Sequence, residues 1–94
     1  MPKLSESEIQ QALRGLAGWE YRGGALHRQF TFATFLDAIA FVNRIALLAE
    51  QANHHPDITI NYNRVGIAVS SHDAGGVTER DTALAPRIEA VAHG

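Results

Sequence analysis

Ninety-four residues, 46% of them apolar and 19% charged, make one globular domain spanning 1–94 and leave no room for two. Cysteine is absent, so neither a disulfide nor a thiolate metal site can offset the small core of so short a chain. Eight Lys and Arg against ten Asp and Glu, a formal charge of −2, offer no basic surface to nucleic acid or anionic lipid. No apolar run reaches the ~20 residues that cross a bilayer, and the opening Met-Pro-Lys-Leu-Ser-Glu lacks the apolar core of a signal peptide. A cytoplasmic domain is expected, stabilised by close packing or self-association.

Ser5 and Glu8 have the spacing of a capping box, and Leu4 and Ile9 that of a hydrophobic staple. Ile9, Leu13 and Leu16 then mark an apolar stripe closed by Gly15 and Gly18, which predicts a helix over about 6–15. Trp19 and Tyr21 alternate with Glu20 and Arg22, and Gly23-Gly24 supplies a two-residue turn. Leu26, Arg28, Phe30 and Phe32 then share one parity. This is a hairpin over 19–32 with His27 on its wet face.

From Phe35 to Asn53 the period is helical. Phe35, Ile39, Val42, Ala46 and Ala49 form one stripe, while Leu36, Phe41, Ile45, Leu47 and Leu48 spread around the cylinder. Such a helix is expected to be buried on more than one side, the second cover being another subunit. Thr34 or Thr31 caps its start, and Pro56 ends it by pushing the preceding residue out of the α region. The period then switches to two. Ile58, Ile60 and Tyr62, a turn near Asn63, then Val65, Ile67 and Val69 predict a second hairpin over about 57–62 and 64–71. Residues 70–76 form a loop by composition. Thr78 with Asp81 resembles a capping box, and Leu84, Ile88 and Val91 stripe a last helix that Pro86 should kink or delay. The order α-β-β-α-β-β-α predicts an α+β fold, a four-stranded antiparallel sheet with helices packed on one face.

Three histidines bracket the second hairpin: His54 and His55 before it, His72 after it. A hairpin returns its far end to its start, so the three are expected to meet. Glu50 lies one helical turn before His54 on the same face if the helix persists that far. The negative end of the helix dipole and that carboxylate both favour an imidazolium at His54, a general acid beside a more neutral His72 near Asp81. A histidine in a last turn can equally serve as a cap, and His72 as an ordinary loop residue. Two or three imidazoles with Glu50 could also hold zinc, but the side chains of sequential histidines diverge and no His-Glu-x-x-His spacing exists. Gly23-Gly24 and Gly75-Gly76 are turn glycines, and no phosphate-binding Gly-x-Gly-x-x-Gly or nucleophile elbow is present.

Glu50-x-x-x-His54-His55-Pro56, then Tyr62, His72 and Asp81 at their spacing, resembles the signature of the pterin-4a-carbinolamine dehydratases. Gly18-Trp19, Phe30-x-Phe32, Arg44, Ala49-Glu50, Asn63, Ser71-His72 and Glu79-Arg80-Asp81 resemble it too, so the likeness covers about 15–92. Asn53, acidic in some relatives, and Pro86 depart from the pattern. The resemblance implies a 4a-hydroxytetrahydrobiopterin dehydratase, a hydro-lyase that converts 4a-hydroxytetrahydropterin to quinonoid dihydropterin in tetrahydropterin recycling. It implies no metal or organic cofactor, and a homodimer or homotetramer. The catalytic set it implies is His54, His55 and His72, the first and last in proton transfer and His55 orienting the pterin. Glu50, Pro56, Tyr62, Arg80 and Asp81 would bind substrate, with Glu50 and Asp81 orienting the histidines. The competing expectation is a non-catalytic binding or assembly module that grips a partner with its long apolar helix. The complete set of proton-transfer groups favours the enzyme.

Overall fold

The Ser5 hydroxyl accepts the Glu8 amide at 3.2 Å, and the Glu8 carboxylate accepts the Ser5 amide at 2.9 Å. This closed capping box starts α1 (Glu6–Leu13) in the computed structural model, which describes residues 2–94. Ile9 is buried and Leu4 packs beside the same core, as the staple requires. β1 (Glu20–Arg22) and β2 (Ala25–Thr31) follow, joined through Gly23 and Gly24 at φ 59° and 82°. Positive φ at both positions is what a tight hairpin turn demands. Leu26 and Phe30 face the core, whereas His27 and Gln29 lie on the opposite, helix-free face.

α2 (Phe35–Ala52) begins at Thr34, whose hydroxyl accepts the Asp37 amide at 3.1 Å. Its buried row is Ala38, Phe41, Ile45, Leu48 and Ala49, a correction to the stripe through Phe35, Ile39, Val42 and Ala46. Both rows satisfy a 3.6-residue period, and the sheet takes the one carrying Phe41 and Ile45 at its centre. The Phe41 ring meets those of Phe30 and Phe32 at centroid distances of 4.9 and 5.0 Å. Leu36 and Leu47 are left on the outside, 74% and 67% exposed. Pro56 does not end this helix. Asn53 does, in the left-handed region at φ 49°, a conformation asparagine tolerates better than most residues.

β3 (Asp57–Asn61) and β4 (Arg64–Val69) complete an antiparallel sheet of order β1-β2-β4-β3. The crossover through α2 places β4 beside β2, and Val65, Ile67 and Val69 lie fully buried beneath the helices. α3 (Glu79–His93) starts directly after Thr78 and runs unbroken through Pro86, so the expected late start does not occur. Pro86 sits on the exposed face while Leu84, Ala85 and Ile88 pack inward. The lost amide therefore frees a carbonyl near water rather than in the core.

Glu89 moors α3 to the first hairpin. Its carboxylate accepts Trp19 Nε1 at 2.7 Å, Arg28 Nε at 3.0 Å, Arg28 Nη2 at 3.1 Å and His93 Nε2 at 2.7 Å. Partial burial opposes its ionisation, but the donors from Arg28, His93 and Trp19 together outweigh that and hold its pKa below the ordinary value. Arg28 shares the core parity of β2 because its guanidinium carbon lies 4.3 Å from the centroid of the Phe30 ring while its nitrogens pair with Glu89. Among the described residues, no helix is long and apolar enough to cross a membrane.

Candidate active site

The end of α2 decides where the histidines point. At Asn53 the chain turns left-handed, and the amides of Asn53 and His54 bond back to Glu50 and Ala49 carbonyls at 3.2 and 3.1 Å. The helix thus stops before His54, whose side chain turns inward, and His55 turns outward. Glu50 consequently pairs with Nε2 of His55, not with His54 as helical spacing predicts. The inward ring of His54 meets Asp81 instead, Nε2 to Oδ1 at 2.5 Å, so the carboxylate expected beside His72 serves His54.

Asp81 is fully buried, and each oxygen has its donors. Oδ1 takes His54; Oδ2 takes the Ser71 hydroxyl at 2.9 Å and the Thr78 amide at 2.9 Å. The Ser71 and Thr78 hydroxyls are themselves joined at 2.8 Å. A buried carboxylate persists only when its lone pairs are met this way. The Thr78 amide contact with Asp81 also belongs to the α3 capping box, so one side chain both caps a helix and orients an imidazole.

Strand register brings His72 to the same end of the sheet. Asp57 opposes Ala68, and continuing that register past the strand ends sets His54 level with Ser71. His72, the next residue, is exposed on a loop closed by the Ser71–Gly76 bridge. That loop turns through Gly75 at φ 75°, which favours glycine. Pro56 is half-buried between His55 and β3. Tyr62 is not brought to this end. It occupies the β3–β4 turn, 70% exposed, and six residue steps at ~3.3 Å each set it about 20 Å from Pro56.

A cavity of about 190 Å³ opens beside His54, lined by Ala52, Arg80, Ala83, Leu84 and Arg87 as well as His54 itself. Arg80 donates through Nη2 to Asp73 at 2.8 Å, and its buried Nε meets no acceptor among the described residues. A larger depression of about 550 Å³ lies on the helix-free face around His27, Gln29, Thr59 and Gly66. It is lined by none of His54, His55 and His72, and a buried imidazole–carboxylate pair marks the chemistry better than size does. Among the described residues, no group of three or more His, Asp or Glu side chains is placed to hold a metal ion.

The sequence profile of the family described as "Pterin 4 alpha carbinolamine dehydratase" matches residues 2–91. The chain belongs to that family. A relative from Thermomicrobium roseum, named "Putative pterin-4-alpha-carbinolamine dehydratase", is 51% identical over 92 residues, 98% of this chain and 99% of the relative. The crystal structure of a transcriptional coactivator/pterin dehydratase from Brucella melitensis superposes with a TM-score of 0.92 at 40% identity, covering 96% of this chain and 98% of that one. A pterin dehydratase-like protein, described as a RuBisCO assembly factor in the alpha-carboxysome, superposes at 0.66 with 25% identity, covering 79% and 86%.

Two residues that hold the His54–Asp81 pair in place carry little sequence signal. Ser71 and Thr78 read as loop and cap, and only the shorter aspartate in a box that usually holds glutamate hints at a second task for that carboxylate. Arg87 falls on the cavity side of α3 with no motif to announce it.

Proposed function

We propose that this chain is a 4a-hydroxytetrahydrobiopterin dehydratase, one catalytic unit over 1–94 acting in cytoplasmic tetrahydropterin recycling. An acid protonates the departing 4a-hydroxyl as the C4a–O bond breaks. A base takes the N5 proton, N5 and C4a become doubly bonded, and water and quinonoid dihydropterin leave. His54 and His72 carry these two transfers and His55 orients the ring. Glu50, Pro56 and Arg80 line the place where the pterin lies. No metal or organic cofactor is called on, because imidazole is the side chain best suited to exchange protons near neutral pH.

The buried His54–Asp81 contact carries this reading. With Nε2 held by the carboxylate, Nδ1 is the nitrogen left to exchange a proton, and the ring cannot swing away from its task. The decay of 4a-hydroxytetrahydropterin with and without micromolar protein tests it. Acceleration above the spontaneous rate supports the dehydratase, and no acceleration sinks it.

The exposed outer face of α2 supports self-association as a homodimer or homotetramer. Leu36 and Leu47 stand in the open on a helix whose inner row is already buried, and a second copy of the same face would cover them. Sedimentation giving only monomer mass at low micromolar concentration would remove this reading. The same face supports the second reading, a non-catalytic assembly module, and the RuBisCO assembly factor is one relative described in such a role. A partner that binds to this face while the hydroxypterin assay stays flat would favour it.

A further inference from the structure

Arg80, Ala83, Leu84 and Arg87 lie at i, i+3, i+4 and i+7 along α3, so they share one face and line one side of the 190 Å³ cavity. Ala52 and His54 line the other. This lining carries two guanidiniums and no carboxylate, in a chain whose formal charge is −2. Arg87 makes no ion pair among the described residues. Arg80 gives one nitrogen to Asp73, but its buried Nε has no acceptor there, an arrangement that costs stability until an acceptor arrives. Asp81, the nearest buried acid, has its oxygens committed to His54, Ser71 and Thr78.

The chemistry of this lining selects its ligand. The pyrimidine edge of a pterin alternates donors (N3–H and the 2-amino group) with single acceptors (O4 and N1), so it meets two guanidiniums with only part of its edge. An oxyanion presents several acceptors, and the planar fork of arginine matches them in pairs. The cavity also borders His54, so a group seated there is within reach of a ring lying at the histidines.

We propose that the Arg80–Arg87 cavity binds an oxyanion carried on the pterin side chain, so that a tetrahydropterin whose side chain ends in a phosphate monoester is preferred over a neutral one. This rests on the dehydratase reading for the place of the ring, and Arg87 is its specificity-determining residue. Arg87 is exposed on the helix surface, so its replacement leaves the core intact.

Pterin fluorescence allows binding to be measured without turnover. The wild-type protein should bind a side-chain-phosphorylated dihydropterin about tenfold more tightly than its neutral counterpart. Arg87→Gln should abolish that gain and leave neutral-pterin affinity unchanged, and Arg87→Glu should invert the preference. Equal affinities in the wild type, or a gain that survives Arg87→Gln, would overturn the proposal. Millimolar inorganic phosphate should displace the phosphorylated ligand alone. If free phosphate instead strengthened binding of the neutral pterin and tethering gave no gain, the side chain would not be the source of the anion. Failure to accelerate dehydration with the binding preference intact would strike the dehydratase reading and leave this one standing.

Discussion

His54–Asp81 and His55–Glu50 join the same two functional groups from neighbouring histidines, yet they live in different media. The first pair has side chains 10% and 0% exposed, the second 58% and 73%. In water an ion pair gains about 0–1 kcal/mol, because solvent screens it and two flexible side chains must be held still. Inside the protein, desolvation of the carboxylate has to be offset by further donors, and Ser71 and Thr78 supply them. Burial therefore turns an otherwise ordinary contact into a fixed geometry. The exposed pair keeps its freedom, which accords with the proposed role of His55 in orienting a ligand.

The sharpest way to break this contrast is at Asp81. Asp81→Ala should cost about 3–5 kcal/mol in urea unfolding, since it strands a buried imidazole, a hydroxyl and a helix-terminal amide together. Asp81→Asn keeps the shape and should cost less while still lowering kcat through a mis-set imidazole tautomer. A loss below ~1 kcal/mol for Asp81→Ala would erase the distinction between the pairs. Next in size, His54→Ala and His72→Ala should each lower kcat on the order of 10²-fold, and the double variant should approach the spontaneous rate. Retention of most of the acceleration by the double variant would mean the pocket acts through binding alone.

The His93–Glu89 contact falls between the extremes, with the carboxylate 21% exposed, and pH sharpens the comparison there. Glu89 has a folded pKa held below its ordinary 4.5. Its contribution is therefore complete above that ordinary value and is lost as pH falls through the lower folded one. Acid unfolding of the wild type should steepen below pH 4.5, and Glu89→Gln should flatten that part of the curve. Parallel curves would show that the mooring carries no linkage. Smaller still, Glu50→Ala should change stability by less than ~1 kcal/mol, and His55→Ala should raise KM more than it lowers kcat. Steady-state kinetics in which His55→Ala lost only kcat would place that ring in proton transfer. A chelator should leave turnover unaltered; loss restored by zinc would reverse the metal-free reading.

What could be read from the chain alone follows the range of the interaction. The capping boxes at Ser5 and Thr78, the Gly23-Gly24 turn and the change of period after Pro56 are local signals, and each marks a real element boundary. The buried row of α2 was not legible, because a helix apolar on most sides offers several rows of equal period and only the sheet chooses. The exchange of carboxylates had another cause. Helical spacing ties Glu50 to His54 only while the helix continues, and a single left-handed residue at Asn53 rotates both histidines and redistributes their partners. The part played by Ser71 depends on strand register carried beyond β4, across ten residues of loop and helix start, which no short-range pattern encodes.

The double duty of Asp81 reaches into how the protein is made and inherited. His54 leaves the ribosome 27 residues ahead of the carboxylate that orients it, so a nascent chain holds the imidazole long before it can use it. On the proposed mechanism, proton transfer would wait until the first turn of α3, which carries Asp81, has formed. Because cap and orienter are one side chain, no mutation at this position can tune the helix without touching the His54 contact. Selection on the placement of His54 is at the same time selection on the start of α3.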